Sequence, residues 1–523
     1  MQSAHIMPIK TIEEATAKVA HEISRIARFV LEMPGGFHWQ ASVTRIARAA
    51  ALLMLVAGVL VSAQTTQTVE TMVPAQSSCS GPAPTFPQMT YDEDDGYFSS
   101  PDCRIKLPDR LKVIPLRGDN ESYYLSFGAF IRDRGEYFSN PDWGSGPPGN
   151  AYLMQRYFVD TDLHLGERLR FFGELSSSLE TGRNGGPRPG LDEEQLYVHQ
   201  GFFDLGLWRS GKDGLTLRAG RQEVAFGSGS LVSNRDGRNI RLSLDGLRLT
   251  WLSGVWTVDA FTFRPVLANA GKFDNPPNQA AGFWGVYAVR PLRVLPQGNV
   301  DLYYLGLDNK SVPYDGKGNG REQRETIGTR LWGTNPRWDY NDELIFQWGW
   351  FGVDKIRAWG LSTDTGYRID SARLRPRFGL RAAAFSGDQN PSSRTLGTFD
   401  SIHEKGPYFT YAELFARRNL IVSQPSAELN LTDTVSLTAN PAFYWRESKS
   451  DGLYSVGNAV LVSGQKGSAS YIASQASVQL KWQMNRNLTW FSEYAHFFPG
   501  DFLKQSSPGR SLNFWTGWLD IRF

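Results

Sequence analysis

The arginines of this chain recur on one face of segments in which polar and apolar residues alternate. Eight of them lie on such a polar face: Arg132, Arg134, Arg156, Arg170, Arg218, Arg248, Arg330 and Arg381. A guanidinium group holds a carboxylate with two parallel hydrogen bonds, so a row of arginines attracts anions. The acids expected to oppose them as counter-charges are Asp160, Asp162, Glu174 and Asp259. The pattern predicts a path that favours anions; the alternatives are a salt-bridge network that only fills an interior, or a set of membrane-surface anchors.

Motifs for other kinds of chemistry are missing from the sequence. No Walker phosphate loop, HExxH pattern or G-x-S-x-G pattern occurs, and the seven histidines do not have the spacing of metal ligands. The acidic stretch that starts at Asp92 resembles a calcium loop, but Cys103 stands where an EF-hand needs a glutamate. We therefore predict that the protein is not an enzyme and uses no cofactor or metal ion.

From about residue 122 the chain consists of strand-like segments separated by Gly, Pro, Asn or Asp. Nineteen segments have this character, and the segment 407–418 alternates least, so we predict a loop or a short helix there. Eighteen strands remain, an even number as in single-chain bacterial barrels. Aromatic residues make up 13% of the chain, which suits the aromatic girdles of a membrane barrel.

Two architectures fit the alternation. In the segment 152–165, Leu153 and Val159 lie on one face while Arg156 and Asp160 lie on the other. The inner faces of a soluble β-sandwich alternate in the same way. A strand-rich body without a helical interlude, and short turns that alternate with long loops such as 308–321, favour a barrel. We predict an all-β fold, a transmembrane antiparallel β-barrel with long extracellular loops and short periplasmic turns.

The N-terminal part of the chain carries an export signal. Residues 49–63 form a short apolar run that follows a basic flank and ends in small residues, as in a secretory signal peptide cleaved after Ala63. A membrane-spanning helix would need about 20 apolar residues. Residues 1–32 are either a misassigned start or a long basic region before the signal. We expect three parts: 1–63 as N-terminal extension and signal peptide, 64–119 as a loosely structured periplasmic leader, and 120–523 as the barrel.

Both cysteines, Cys79 and Cys103, fall in the leader. In an oxidising periplasm a pair of cysteines favours one disulfide, and two free thiols are the alternative. At the other end of the chain, the alternating segment 511–523 finishes on Phe523. A terminal aromatic strand is typical of bacterial outer-membrane barrels.

The stretch 220–249, GRQEVAFGSGSLVSNRDGRNIRLSLDGLRL, resembles a sequence block of the alginate export family of outer-membrane porins. Further segments similar to that family are 259–266, 329–333, 443–448, 451–454 and 493–502, so the resemblance covers roughly 120–523. The resemblance implies an eighteen-stranded barrel that passes a polyuronate through a basic constriction. It adds three residues to the expected path, Arg221 of the GRQ motif and Asn239 and Arg241 of the block that follows. Arg221 is out of phase with Arg218, so one of the two needs a bulge to face the lumen.

These features lead to one preferred function and two alternatives. We expect a passive outer-membrane conduit for an anionic, alginate-like polysaccharide through a pore lined by arginine. The alternatives are a porin for small solutes, general or anion-selective, and a structural or adhesin-like barrel whose lumen is plugged. The expected partners are outer-membrane lipid, the transported polysaccharide or small anions, and the barrel-assembly machinery, with no nucleic acid. We expect a monomer in the bacterial outer membrane.

Overall fold

The computed structural model describes residues 84–106, 108–117, 122–146, 149–295 and 297–523. The signal peptide at 49–63 and Cys79 lie outside these residues, so the cleavage site and the disulfide stay predictions. Cys103 is buried in the leader.

Eighteen antiparallel strands form one closed barrel. In chain order they are β1 Tyr123–Phe138, β2 Asn150–Leu165, β3 Leu169–Thr181, β4 Glu194–Ser210, β5 Asp213–Gln222, β6 Leu244–Ser253, β7 Trp256–Pro265, β8 Ala281–Leu292, β9 Gly298–Tyr314, β10 Gly318–Thr334, β11 Trp338–Phe351, β12 Asp354–Arg368, β13 Arg377–Phe385, β14 Leu420–Asn430, β15 Val435–Ala439 with Ala442–Trp445, β16 Tyr471–Asn485, β17 Leu488–Pro499 and β18 Leu512–Arg522. The barrel closes where β18 pairs with β1, from Phe130 opposite Arg522 to Phe138 opposite Phe514. The prediction of eighteen strands is confirmed, and 407–418 is not a strand.

Alternation along the strands separates a lipid face from a lumen face. On β2, Leu153 and Val159 are 43% and 58% exposed on the outside, whereas Arg156 is 1% exposed inside. On β3, Phe171 and Leu175 likewise point outward. Side chains alternate across a strand, so each strand of a barrel can offer apolar groups to lipid and polar groups to the lumen.

Connections differ in length at the two ends of the barrel. The two barrel termini share one end with connections of at most eight residues, and we assign this end to the periplasm because outer-membrane barrels have short periplasmic turns. The long loops lie at the other end, together with two tight turns at 315–317 and 352–353. The predicted long loop at 308–321 is wrong, because β9 and β10 continue to a tight turn over 315–317. Gly316, with φ of 70°, makes that turn possible. A bulge between Asn309 and Val312 interrupts the alternation near the end of β9, and β10 begins with Gly-Asn-Gly, so alternation in the sequence does not reveal these strand ends.

Helical structure is sparse in the part of the chain that the structure describes. The α-helix α1 spans Asp501–Ser506, and the 3₁₀ segments are Thr90–Asp92, Asp95–Phe98, Pro101–Cys103, Pro108–Leu111, Pro141–Gly144 and Gly464–Lys466. None of the described helices is long and apolar enough to cross a membrane. Four short strands complete the inventory: Ile114–Pro115, which pairs with β1, Thr395–Leu396, which pairs with β12, and the pair Leu453–Tyr454 and Val460–Val462.

The described part of the leader is folded, unlike the loose segment expected over 64–119. Four of the 3₁₀ segments lie in it, and Tyr91 and Phe98 are buried. The Leu116 amide donates to the Tyr123 carbonyl at 2.9 Å, so this part of the leader pairs with the start of β1. The side chains of Arg486 and Arg522, at the periplasmic end, bind leader carbonyls. These contacts hold residues 84–117 against the inside of the barrel.

Candidate solute path in the lumen

Two outer loops fold into the barrel and meet inside it. Segment 223–243 connects β5 to β6, and segment 386–419 connects β13 to β14 on nearly the opposite side of the ring. The Ser233 amide donates to the His403 carbonyl, and the His403 amide donates to the Leu231 carbonyl, both at 2.9 Å. The Lys405 amide donates to the Gly229 carbonyl at 3.0 Å. The two segments together therefore constrict the lumen.

Apolar side chains hold both segments against the wall. Phe226 stacks on Phe261 and Tyr287, with ring centroids 5.1 and 4.8 Å away. Phe409 and Phe415 of the second segment belong to the same buried cluster. Burial of this area stabilises the inward position of the loops by the hydrophobic effect.

Asp236 is the centre of an ionic cluster between segment 223–243 and the wall. Its carboxylate accepts hydrogen bonds from Arg156 Nη1 at 2.7 Å, Arg241 Nε at 2.8 Å and Arg132 Nη1 at 3.2 Å. Arg132 also binds Asp520 at 2.6 Å. The three guanidinium groups hold the pKa of Asp236 well below its usual value, against the effect of burial. Two predicted path residues on the wall, Arg132 and Arg156, thus fix the constricting loop, and Arg241 belongs to the loop itself.

A second set of arginines lies on the lumen faces of β3, β5 and β6. Each arginine is paired with a carboxylate, all at 2.7 Å: Arg170 with Asp162, Arg218 with Asp204, and Arg248 with Asp259. Their cross-strand register is direct, since Arg170 lies opposite Asp204, Asp204 opposite Arg218, and Arg218 opposite Arg248. The alternation predicted for these strands therefore places the arginines side by side.

The leader occupies the lumen beside this set of three arginines. The Tyr91 ring lies edge-on to Phe202, with centroids 5.5 Å apart, and the Arg218 guanidinium carbon is 4.2 Å from the centre of the Tyr91 ring. Arg170 Nη2 donates to the Tyr91 carbonyl at 2.6 Å. The Thr90 hydroxyl donates to Glu174 Oε2 at 2.6 Å. Burial raises the pKa of Asp92, although Arg218, Arg248 and Arg170 oppose that shift.

The other side of the lumen contains a cavity of about 600 Å³. Its lining includes four basic side chains, Arg330, Arg377, Arg381 and Lys405, and two acidic ones, Asp364 and Glu428. Arg381 Nη2 binds Asp364 at 2.6 Å. Arg330 binds Asp301 at 2.8 Å, and Arg377 binds Asp339. The guanidinium groups on this side are therefore neutralised by wall acids.

Lys405 is different from the arginines of the cavity. It has no ion pair with any acid among the described residues. Desolvation lowers the pKa of its ammonium group, and the charges of Arg381 and Arg417 lower it further, although the charge of Asp236 opposes the shift. A cation that lacks an acidic partner and lines a polar cavity is a binding partner for an anionic solute.

His403 sits at the junction of the two inward segments. Burial lowers its pKa to about 3, and the nearby charge of Arg235 acts in the same direction. Neither ring nitrogen has a hydrogen-bond partner among the described residues. The Phe283 ring lies edge-on to the imidazole at 5.0 Å. The imidazole is therefore neutral at the pH of the cell.

The remaining predicted residues serve the wall or the loops. Arg134 pairs with Glu136 and also donates to the Gly237 carbonyl of the constricting loop. The Asn239 amide donates to the carbonyls of Gln155, Leu179 and Asp192 at 3.2, 3.0 and 2.7 Å. The Asp160 carboxylate is buried in the lumen face of β2.

Arg221 is the exception, and its expected place in the lumen is wrong. The register from Gly214 to Gln222 against β6 has no bulge, so Arg218 and Arg221 point to opposite faces. Arg221 shares the outer face with Phe203, which is exposed, and it binds Asp245 at 2.8 Å. No residue is inserted between the two arginines, and only an insertion could turn Arg221 inward.

The glycines of the GRQ and DG motifs have a local structural task. Gly220 and Gly246 are cross-strand partners with φ of 132° and 159°. A Cβ atom on Gly220 would stand 2.3 Å from the Gly201 carbonyl oxygen. These glycines therefore allow β4, β5 and β6 to approach closely where the constricting loop begins.

Sequence reasoning missed the residues that lie on loops. Asp236, Lys405 and Tyr91 are on no strand, so alternation gives no sign of them. The density of charge in the stretch 234–241 was a usable signal, because such a loop needs partners of opposite sign when it enters a charged lumen. Among the described residues, no group of three or more histidine, cysteine or acidic side chains could hold a metal ion.

The fold is similar to that of known outer-membrane channels. OccAB1 of Acinetobacter baumannii superimposes with a TM-score of 0.52 at 13% identity, over 79% of this chain and 99% of that chain. For a BenF-like porin from Pseudomonas fluorescens Pf-5 the TM-score is 0.53 at 10% identity, with coverage of 76% and 98%. The outer membrane protein opdK from Pseudomonas aeruginosa gives 0.51 at 12% identity, with coverage of 76% and 98%. At these identities the likeness shows the fold alone.

A closed barrel with a charged, loop-constricted lumen defines the class of outer-membrane porin-like channels, and the protein resides in the bacterial outer membrane. The model of the alginate export family matches residues 123–516, so the chain belongs to that family. The expected family is confirmed. No curated protein is significantly similar in sequence.

Proposed function

We propose that this channel is a passive conduit for anionic solutes, with a carboxylated, alginate-like polysaccharide as the main cargo. The observation that supports it is the cavity of about 600 Å³ lined by Arg381 and by Lys405, which lacks an acidic partner. Wall acids neutralise the arginines, so the field is moderate and the polymer can leave again. Membership of the alginate export family agrees with this cargo.

Liposome swelling tests the proposal with solutes of matched size. Glucuronate is expected to enter faster than glucose, and a short oligouronate is expected to compete with it. Lys405→Gln should reduce the advantage of glucuronate, because the side chain stays polar while its charge is lost. Arg221→Gln is the control, since Arg221 faces outward and should leave the ratio unchanged. Equal entry of the two sugars through the wild-type channel would contradict the proposal.

A second function has one specific observation in its favour. The inward segments pack through a large apolar cluster that reaches Phe497 and Phe514 on the wall and Phe502 of α1. A lumen filled in this way suits a plugged barrel with a structural or adhesive role. The swelling assay separates the two functions, since a plugged barrel admits neither sugar.

A further inference from the structure

Arginines donate to the backbone of the leader at several positions along its length. Four pairs of donor and carbonyl acceptor have this form: Arg486 with Pro84 at 2.8 Å, Arg522 with Pro87 at 2.6 Å, Arg241 with Gln88 at 2.9 Å, and Arg170 with Tyr91 at 2.6 Å. A peptide carbonyl is a weaker acceptor for a guanidinium group than a carboxylate is. Arg170, Arg241 and Arg486 also pair with carboxylates. The leader carbonyls therefore take up the remaining N–H donors, which an anionic chain would use more strongly.

Tyr91 anchors this segment. Its ring packs edge-on against Phe172 and Phe202, with centroids 6.2 and 5.5 Å away. Its hydroxyl donates to the Glu223 carbonyl at 3.0 Å, at the start of the constricting loop. The Arg218 guanidinium carbon lies 4.2 Å from the ring centre, within reach of a cation–π interaction. A buried aromatic side chain with a satisfied hydroxyl attaches the segment firmly to the wall.

The same segment also contacts the constricting loop. The Gln88 side-chain amide donates to Asn234 Oδ1 at 2.7 Å, and Asn234 Nδ2 donates to Met89 Sδ at 3.5 Å. Asn234 Nδ2 further donates to Glu223 Oε2 at 3.0 Å. The leader and the constricting loop are thus joined through Asn234, so movement of one changes the contacts of the other.

We propose that leader residues 84–93 are a resident ligand of the arginine row formed by Arg486, Arg522, Arg241, Arg170 and Arg218. Bound there, the leader closes one side of the lumen, and an anionic solute occupies the row only after the leader leaves. The identity of the solute rests on the proposed function, but occupation of the row by the leader does not. The opposite side of the lumen, with the cavity around Arg381, stays outside this contact.

Single-channel recording of the full chain tests the release of the leader. Tyr91→Ala removes the anchor and should raise the fraction of time spent at high conductance more than about tenfold, since truncation of a buried aromatic is strongly unfavourable for the bound state. The matched control is Ile105→Ala, a truncation at a leader side chain that is 77% exposed. It should behave like the wild type. A heat-modifiable band on a gel verifies that each barrel has folded.

A second pair of substitutions tests the opposite change. Thr90→Cys with Glu174→Cys, joined by a short reducible thiol cross-linker, should fix the leader in place and suppress the high-conductance state. Reduction should restore it, and the wild type treated in the same way accounts for effects on Cys79 and Cys103. If neither release nor cross-linking changes conductance, the leader is not a ligand that controls the row, and the inference fails.

Block by a tetrasaccharide of mannuronate separates this inference from the proposed function. Stronger block in Tyr91→Ala than in the wild type supports both. Higher conductance in Tyr91→Ala with no block and no anion preference supports the resident leader but overturns the anionic cargo. If Tyr91→Ala has the conductance of the wild type, and the wild-type pore prefers anions, the resident leader is overturned and the proposed function stands.

Discussion

Loss of the Asp236 charge should free the constricting loop from the wall. In Asp236→Asn, Arg132 keeps Asp520 and Arg241 keeps Glu223, but Arg156 loses the one carboxylate that pairs with it among the described residues. Arg156 is 1% exposed, so an unpaired charge there is costly. Breaking a buried ion pair costs about 3–5 kcal/mol. We take about 3 kcal/mol, because Arg156 keeps carbonyl acceptors on the loop.

That free energy opposes docking of segment 223–243, while the hydrogen bonds between strands are unaffected. About 3 kcal/mol reduces the ratio of docked to undocked loop by roughly a hundredfold. The expected result is a larger mean conductance, more open-channel noise, and faster proteolysis within 223–243. The folded yield of the barrel should be close to that of the wild type.

Asp245→Asn is the matched control for this experiment. The Asp245 side chain is 26% exposed and pairs with Arg221, whereas that of Asp236 is 24% exposed. Asp245 lies on the outer face, so its substitution should leave the conductance and the proteolysis of 223–243 unchanged. Wild-type conductance and noise in Asp236→Asn would refute the reasoning, since the carboxylate would then not hold the loop that narrows the pore.

Three further outcomes are expected. The pKa of His403 is about 3 in the docked loop and 6.5 when the side chain is exposed, so the undocked state binds more protons between these pH values. Docking therefore weakens as the pH falls below 6.5, by up to about 1.4 kcal/mol per pH unit. Acid-induced opening in single-channel records should be smaller in His403→Gln than in the wild type, and equal opening in both proteins would contradict this. Gly220→Ala should lower the yield of folded barrel and its midpoint of unfolding in urea, because the added Cβ would stand 2.3 Å from the Gly201 carbonyl oxygen. Gly282→Ala is the control and should be tolerated, since its nearest contact would be at 3.9 Å. Equal midpoints of the two variants would count against the close approach of the strands. Mass spectrometry of unreduced protein should find Cys79 and Cys103 joined, and two alkylatable thiols would show otherwise.

The sequence predicted the barrel well because strands that divide lipid from lumen must alternate. Arg156 and Arg170 lie inside as that rule requires, and Val159 lies outside. Arg221 was placed in the path by its position in a motif, and the alternation rule would have placed it correctly on the outer face. The rule failed over 308–321, because a bulge between Asn309 and Val312 interrupts the alternation of β9.

The content of the lumen was harder to predict. Segments 223–243 and 386–419 and the leader enter the barrel as irregular chain, and irregular chain has no period that reveals where it packs. Their partners are single contacts between distant residues, such as Asp236 with Arg156 and Tyr91 with Phe202. The sequence gives the charges of such residues, but only the closed barrel shows which of them meet.

The reversal potential of the wild-type channel in a salt gradient tests the central claim most directly. We expect permeability to favour anions at about 0.1 M salt, where charges act over about 10 Å, and to approach parity near 1 M. Lys405→Gln combined with Arg381→Gln should reduce the anion preference at the lower salt, while Arg221→Gln should not. A wild-type pore that prefers cations at low salt would contradict the account, because the basic side chains of the lumen would then not govern what passes.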